Sequence, residues 1–548
     1  MAIPSSIPPE ITFEAPGPGS WALDAVHVPR PFSRFQAEIH PPNVATGFRA
    51  GARRYGLLID TLDWRLINGF AYSVPVPAPE PDIPARFEAA EKAFADKLWR
   101  RDLTLWMDQT KPASIEAHRN LLSVDPKILS RDRLLAYLDQ CRHHLALMIQ
   151  QHHAFNAAAF VPVGDFIAHL GEWTGRPLAE FLALTRGSAP ESAGSFPELD
   201  RLASAIQRDP EARQALGSSS AWGEILKQLR AAPGDVGAAA TAYLDIVSYR
   251  LLDSLDSGEP MAIEVPEVLV QGIRHAVDSG ASASNSLTAE EAERVREQVP
   301  AAHRDAFDEL LGEVRVMSRL RDERGLYSDV WAGGIMRRAL LAAGEKLVDE
   351  GRLAKAAHLI EGDYQEIREL ISGGGPSGDD LAARANYRAT ARVADAPPFL
   401  GDPPSPPPPL DGLPPAPRRM MQALGTAIEA LFAPSTKTSE TTVVRGTGAS
   451  PGVYTGTARV IDGPSEFGRL RSGDVLVTAT TTEAFNIVLP LLGGMITNSG
   501  GLLSHAAIVS REYGVPCVVG CRDATARIPD GARVRVDGGA GEIQIEAP

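Results

Sequence analysis

The stretch TNSGGLLSHAAIVSREYGVPCVVG, residues 497–520, decides how the C-terminal part of this chain folds. Residues 492–496, just before and into it, are apolar apart from two glycines and read as a buried strand. Asn498-Ser499-Gly500-Gly501 is turn chemistry. Ala506, Ala507, Ile508, Val509 and Glu512 favour a helix, which Gly514 and Pro516 stop, and residues 515–519 read as a second buried strand. The unit is strand, glycine turn, helix, strand, with one histidine, His505, where the helix begins. Backbone N–H groups at a helix N-terminus attract anions. A phosphoryl group on His505 would be held there, and the same dipole favours the neutral, nucleophilic imidazole. Gly500 and Gly501 would let a second molecule's phosphates approach the backbone. Thr497 and Ser504 add hydroxyl donors to this expected phosphate site. Taken residue by residue, a lone histidine here more often only caps the helix.

The longer pattern favours the carrier role. Gly500, Gly501, Ser504, His505, Ala506, Ala507, Ile508, Val509, Arg511, Glu512, Gly514, Val515 and Pro516 fall at fixed spacing. The run resembles the phosphohistidine swivelling domain (the mobile domain) of phosphoenolpyruvate synthase, pyruvate phosphate dikinase and rifampin phosphotransferase. That resemblance implies that His505 is the phosphoryl carrier. It extends upstream through Gly446-Thr-Gly-Ala-Ser-Pro-Gly452, Gly456-Thr-Ala-Arg-Val460 and Gly473-Asp-Val-Leu-Val477, covering roughly residues 440–548.

At 548 residues the chain has room for two or three domains, and its 44% hydrophobic content can fill sizeable cores. The formal charge of −15 argues against a nucleic-acid partner and against an anionic membrane surface. The last 108 residues carry 9 Arg and no Lys against 10 Asp plus Glu, a balance of −1, so nearly all the acidity lies in the first 440. Three cysteines (Cys141, Cys517, Cys521) make no disulfide framework, which fits a reducing cytoplasm. No apolar run reaches the roughly 18 residues of a membrane span, and the N-terminus lacks the features of a signal peptide.

Composition divides the chain into three parts. Residues 1–395 form a mainly α-helical domain preceded by short strands, with 55–60 and 66–74 read as strands. Apolar residues recur at helical spacing over 88–106, 131–155, 164–174, 207–216, 289–323 and 329–349. Residues 396–440 are a proline-dense linker followed by a helix over 419–432. A polyproline segment is stiff and extended, about 3 Å per residue, so it suits a tether for a mobile domain. Residues 441–548 form the small α/β swivelling domain.

Asp24-Ala-Val-His-Val-Pro-Arg-Pro31, Gly325-Leu-Tyr-Ser-Asp-Val-Trp331 and the Arg337-Arg338 segment resemble the acceptor domain of rifampin phosphotransferase-like and phenylphosphate synthase-like proteins. Residues 481–490 look more like the phenylphosphate and 4-methylbenzyl phosphate synthase branch than the phosphoenolpyruvate branch. No ATP-grasp domain is visible, and GGGPSG at 373–378 lacks the Gly-Lys-[Ser/Thr] ending of a P-loop. The resemblance therefore implies a two-component phosphotransferase. A separate ATP-grasp subunit binds ATP and Mg2+ and loads His505. This chain then passes the phosphoryl group to a small aromatic hydroxyl compound such as a phenol or cresol, with release of AMP and inorganic phosphate. Two alternatives stay open: an antibiotic-type phosphotransferase or ATP-dependent ligase with a larger acceptor, and a non-catalytic binding protein with a relic swivelling domain.

Candidate acceptor-site residues are His27 and Arg30, His144, and Arg337; an Arg offers a fork of donors to phosphoryl oxygens. His143-His144 and His152-His153 are not expected to share one metal ion, because offsets of eight to ten residues place them two turns or more apart on different faces of a helix; one of them facing an interior pocket is the expectation. No metal site is expected from the sequence.

Overall fold

The computed structural model describes residues 11–546 apart from 189–195, 253–254, 280–288, 433–441, 483–484 and 487. The expected boundary at residue 441 and three positions of the run 481–490 lie outside the described residues. Contacts divide the chain into two compact units. The first comprises Met1–Ala159, Ser254–Pro260 and Arg324–Gln422; the second comprises Phe160–Asp253, Met261–Glu323 and Ala423–Pro548. Helices dominate up to Phe432 and a sheet domain follows, as the patterning implies. Among the described residues, no helix is long and apolar enough to cross a membrane.

In the first unit, strands β1 (Ser20–Leu23), β2 (Ile59–Ile67), β3 (Phe70–Pro77) and β4 (Phe399–Gly401) form an antiparallel sheet in the order β2-β3-β1-β4. Two strand expectations are corrected here. Tyr55 ends a helix, and Gly56 caps it in the left-handed region at φ 70°. A Cβ on Gly56 would lie 2.1 Å from the Arg86 carbonyl oxygen, so only glycine fits. The expected strand over 66–74 is a hairpin, because Asn68 (φ 52°) and Gly69 (φ 84°) make the left-handed two-residue turn. Strand β4 lies inside the stretch read as linker and pairs Leu400 with Trp21.

The helix Arg34–Tyr55 is absent from the sequence reading because Pro41 and Pro42 sit in its middle. Each proline removes one helical hydrogen bond. Burial of Phe35, Ile39, Val44, Phe48, Ala52 and Tyr55 along one face outweighs that loss. Ser33 caps its start by accepting from the Gln36 amide. Gly47 and Gly51 let this helix pack closely on the helix Arg131–Ala154. Added Cβ atoms there would stand 2.2 Å from the Gln150 oxygen and 2.7 Å from the Ala154 oxygen. This close crossing fixes the C-terminal turn of Arg131–Ala154, which carries His152 and His153. The helix Asp329–Asp349 follows its apolar spacing end to end. The spans 88–106 and 289–323 are each split in two, at Asp96-Lys97 and around Pro300.

The second unit ends in an eight-stranded sheet. Its strands are β5 (Val443–Arg445), β6 (Thr447–Ser450), β7 (Val453–Val460), β8 (Asp474–Thr478), β9 (Leu492–Thr497), β10 (Cys517–Val519), β11 (Arg533–Asp537) and β12 (Glu542–Ile545). The order is β5-β12-β11-β7-β8-β9-β10-β6. β7, β8, β9 and β10 run parallel, and the flanking strands pair antiparallel. β5 and β6 sit at opposite ends of this order yet are joined by Gly446 alone, so the sheet must curl until its edges meet. At that seam a Gly446 Cβ would lie 2.6 Å from Cys521 Sγ, Val518 Cγ1 and the Val519 oxygen. Val444, Val475, Val477, Ile496, Val518, Val534, Val536 and Ile543 fill the interior.

Candidate active site

His505 begins the helix His505–Tyr513, which connects parallel strands β9 and β10. The loop before it leaves the C-terminal end of β9, and the loop carrying Thr481 leaves the C-terminal end of β8. Ligands of parallel α/β sheets bind at such strand ends. Thr481 Oγ1 lies 2.8 Å from His505 Nδ1, and Thr481 is buried while His505 is partly exposed. The sequence marks neither loop as the partner of the other, so Thr481 was not among the expected site residues. The first-turn amides of the helix, those of Ala506 and Ala507 among them, precede the first intrahelical donor and face the helix end.

The turn that presents His505 is held from several sides. The Asn498 and Ser499 amides donate to the Thr478 and Ala479 carbonyls. The Asn498 side chain donates to Thr525 Oγ1 at 2.7 Å and accepts from the Thr525 amide at 3.0 Å. Arg511 is buried and donates to the Ala449 carbonyl at 3.0 Å and the Leu502 carbonyl at 2.8 Å. Burial, with Arg321 nearby, pulls its guanidinium down to about 10. Arg511 therefore ties the loop to β6.

The four expected phosphate-site residues make contacts within the turn and with the helix before it. Gly500 adopts φ 98°, and a Cβ there would lie 2.8 Å from the Ser504 side chain. Gly501 allows a helix to approach: its Cβ would stand 2.2 Å from the Ala430 oxygen, and its amide donates to the Leu431 carbonyl. The Thr497 hydroxyl donates to the Ser499 carbonyl and the Ser504 hydroxyl to the Gly501 carbonyl. A hydroxyl has one proton, so both side chains brace the turn in this arrangement rather than present donors to a phosphate.

The expected acceptor-site residues belong to the first unit and fall in three places. His27 Nδ1 lies 3.0 Å from Asp24 Oδ2. Burial opposes both charges, but the ion pair prevails, lowering the Asp24 carboxyl and raising the His27 imidazole from their ordinary values. Arg30 lies 3.8 Å from Glu259, and Arg337 donates to the Ser257 and Gly258 carbonyls, so both arginines meet the Ser254–Pro260 segment. His144 Nε2 lies 2.9 Å from His118 Nδ1, and burial pulls His144 down to about 4. The sequence reading missed His152, whose Nδ1 lies 2.8 and 2.9 Å from the two Asp329 carboxylate oxygens across 177 positions of sequence.

Residues 470–541 match the family described as PEP-utilising enzyme, mobile domain, and residues 152–326 match the rifampicin phosphotransferase fourth domain. Three relatives bear on the chain. A chondramide synthase of Chondromyces crocatus is 26% identical over 560 residues, 96% of this chain and 14% of that protein. A rifampicin phosphotransferase of a Streptomyces species is 29% identical over 394 residues, 69% of this chain and 42% of that protein. A phosphoenolpyruvate synthase of Pyrococcus furiosus is 43% identical over 101 residues, 18% of this chain and 12% of that enzyme. The chain thus spans less than half the length of each. His505 and Thr481 thus lie within the segment that matches the PEP-utilising enzyme mobile domain, and the segment that matches the rifampicin phosphotransferase fourth domain precedes it.

Proposed function

We propose that this chain is the carrier and acceptor component of an ATP-dependent phosphotransferase, with His505 as the phosphorylated residue. The observation that carries this reading is His505 at the N-terminus of a nine-residue helix with Nδ1 against Thr481 Oγ1. When Thr481 accepts from Nδ1–H, the lone pair is on Nε2, which becomes the nucleophile. Phosphoryl transfer passes through a loose transition state whose charge lies on the phosphoryl oxygens. The helix N-terminal amides offer fixed donors for that charge.

In this reading an ATP-grasp subunit, with ATP and Mg2+, loads His505. The overall reaction takes ATP, water and an acceptor hydroxyl to AMP, inorganic phosphate and a phosphate ester. The proline-dense stretch from 402 to 409, exposed along its length, is the proposed tether. The acceptor is a small aromatic alcohol or phenol. The rifampicin phosphotransferase match over 69% of the chain favours, as a second reading, a much larger acceptor.

The test is reconstitution with an ATP-grasp protein and [β-32P]ATP, with phenol, p-cresol or an ansamycin as acceptor. Label in a phenyl phosphate supports the first reading, and label only in the ansamycin supports the second. Label that reaches His505 but no acceptor hydroxyl overturns both.

A further inference from the structure

His152 and His153 close the helix Arg131–Ala154, and Asp329 opens the helix Asp329–Asp349. Gln151 holds these two helix ends together by donating to Ser328 Oγ at 2.8 Å and Ser114 Oγ at 2.9 Å. Each histidine is thereby set beside the carboxylate. One nitrogen from each imidazole and one Asp329 oxygen all lie within 4.8 Å of one another. We propose that His152, His153 and Asp329 form a binding site for a divalent first-row transition ion of the zinc class.

The argument rests on atoms. His153 Nδ1 donates to the Ile149 carbonyl at 2.9 Å, which fixes the tautomer and leaves the lone pair on Nε2. A backbone carbonyl on the far ring nitrogen is the usual support of a ligating histidine. His152 Nδ1 sits almost equally far from both Asp329 oxygens, at 2.9 and 2.8 Å. Two ligands about 2.1 Å from a common tetrahedral ion lie about 3.4 Å apart, so the pair opens by about half an ångström to admit one. Ligation through His152 Nδ1 places the ring proton on Nε2 and leaves the Asp329 carboxylate to the ion.

The surroundings agree. Asp329 is 2% exposed, and His152 retains 16% exposure, which leaves an approach. A cation beside it would offset the charge of the buried Asp329 carboxylate. Arg324, which donates to Asn156 Oδ1, adds positive charge that weakens the site without removing a ligand. Gly325 has no side chain to fill the space beside the pair: a Cβ there would lie 3.8 Å from His152 Nδ1 and 3.9 Å from Asp329 Oδ1.

A further donor stands next to the cluster. His40 is fully buried, its ring 6.0 Å from that of His153. Ser257 donates to Gln36 Oε1, so the Gln36 amide nitrogen faces His40 Nδ1 at 3.2 Å and the proton is on Nε2. That N–H meets no acceptor among the described residues.

Two imidazoles and one carboxylate select a borderline ion over Mg2+ or Ca2+, which prefer all-oxygen sites. Three protein ligands leave a position open, the pattern of catalytic rather than structural zinc. Resting on the proposed function, an acceptor hydroxyl in that position loses its proton more easily.

The site is tested on the full chain, stripped with chelator and titrated with Co2+ by visible absorption and with Zn2+ by calorimetry. The expected result is one ion per chain. Binding should weaken at least about tenfold in Asp329→Asn and His153→Gln, and be unchanged in His275→Ala, a histidine of the other unit. Circular dichroism checks that each variant folds, and His152→Gln replaces any that does not. No stoichiometric binding, or binding indifferent to all three ligand variants, overturns the site. Phosphorylation of His505 is read separately, so loss of the metal reading and loss of the phosphotransferase reading are distinguishable.

Discussion

Thr481→Val removes one hydroxyl from a nearly isosteric side chain and leaves His505 in place. The hydroxyl lies 2.8 Å from His505 Nδ1 and is buried. A side-chain hydrogen bond contributes about 0.5–1.5 kcal/mol net, and leaving a buried partner unmade costs about 1–3 kcal/mol. The variant also loses the group that holds the imidazole ring in its orientation. At about 1.4 kcal/mol per tenfold, the two effects together slow phosphoryl arrival at His505 by about 10- to 100-fold. The assay is single-turnover labelling with the loading protein in excess, so that arrival at His505 is the step observed. Thr481→Ser restores the hydroxyl and should recover most of the rate. Melting temperatures of the variants should lie close to that of the parent. Labelling of Thr481→Val within threefold of the parent would refute the orienting role.

Arg511→Met removes two charge-assisted bonds to the Ala449 and Leu502 carbonyls and should destabilise the second unit by about 3 kcal/mol, read by urea unfolding. Gly501→Ala places a methyl 2.2 Å from the Ala430 oxygen; it should cost about 1–3 kcal/mol and reduce His505 labelling through displacement of the loop. His144 is held down to about 4 by burial, so the unfolded chain binds its proton first as pH falls. Stability from this group is complete above about pH 6.5 and is lost as pH falls toward 4. Between pH 7 and 5 the loss is about 2 kcal/mol, from one and a half units at about 1.4 kcal/mol each. His144→Phe should flatten that part of the pH profile in urea melts.

The segment around His505 was legible because its logic is local. Strand, turn, histidine and helix lie within 25 consecutive residues, and Gly500 and Gly514 mark the turn and the cap, both with positive φ. The helix Asp329–Asp349 was legible for the same reason, since apolar periodicity runs its whole length. The helix Arg34–Tyr55 was not, because propensity at Pro41-Pro42 opposes it and tertiary burial decides. Closure of the eight-stranded sheet was hidden as well: β5 and β6 are three and four residues long, with no alternation to read. Site partners were hidden by separation. Thr481 is 24 residues from His505, and Asp329 is 177 from His152. Patterning along one element carries no information about which loops or helix ends a fold brings together. The glycine pair shows a different limit. The turn it makes is readable from the sequence, but that Gly501 also makes room for Ala430 of the preceding helix is not.

The most direct test of the account is the chemical identity of the phosphorylated residue. Incubate the chain with [β-32P]ATP and an ATP-grasp loading protein, then compare the parent with His505→Ala. The account predicts acid-labile, base-stable label on the parent only, requiring the loading protein and mapping to the peptide that contains His505. Label of undiminished amount on His505→Ala would contradict it, as would no label on the parent with a loading protein proven active.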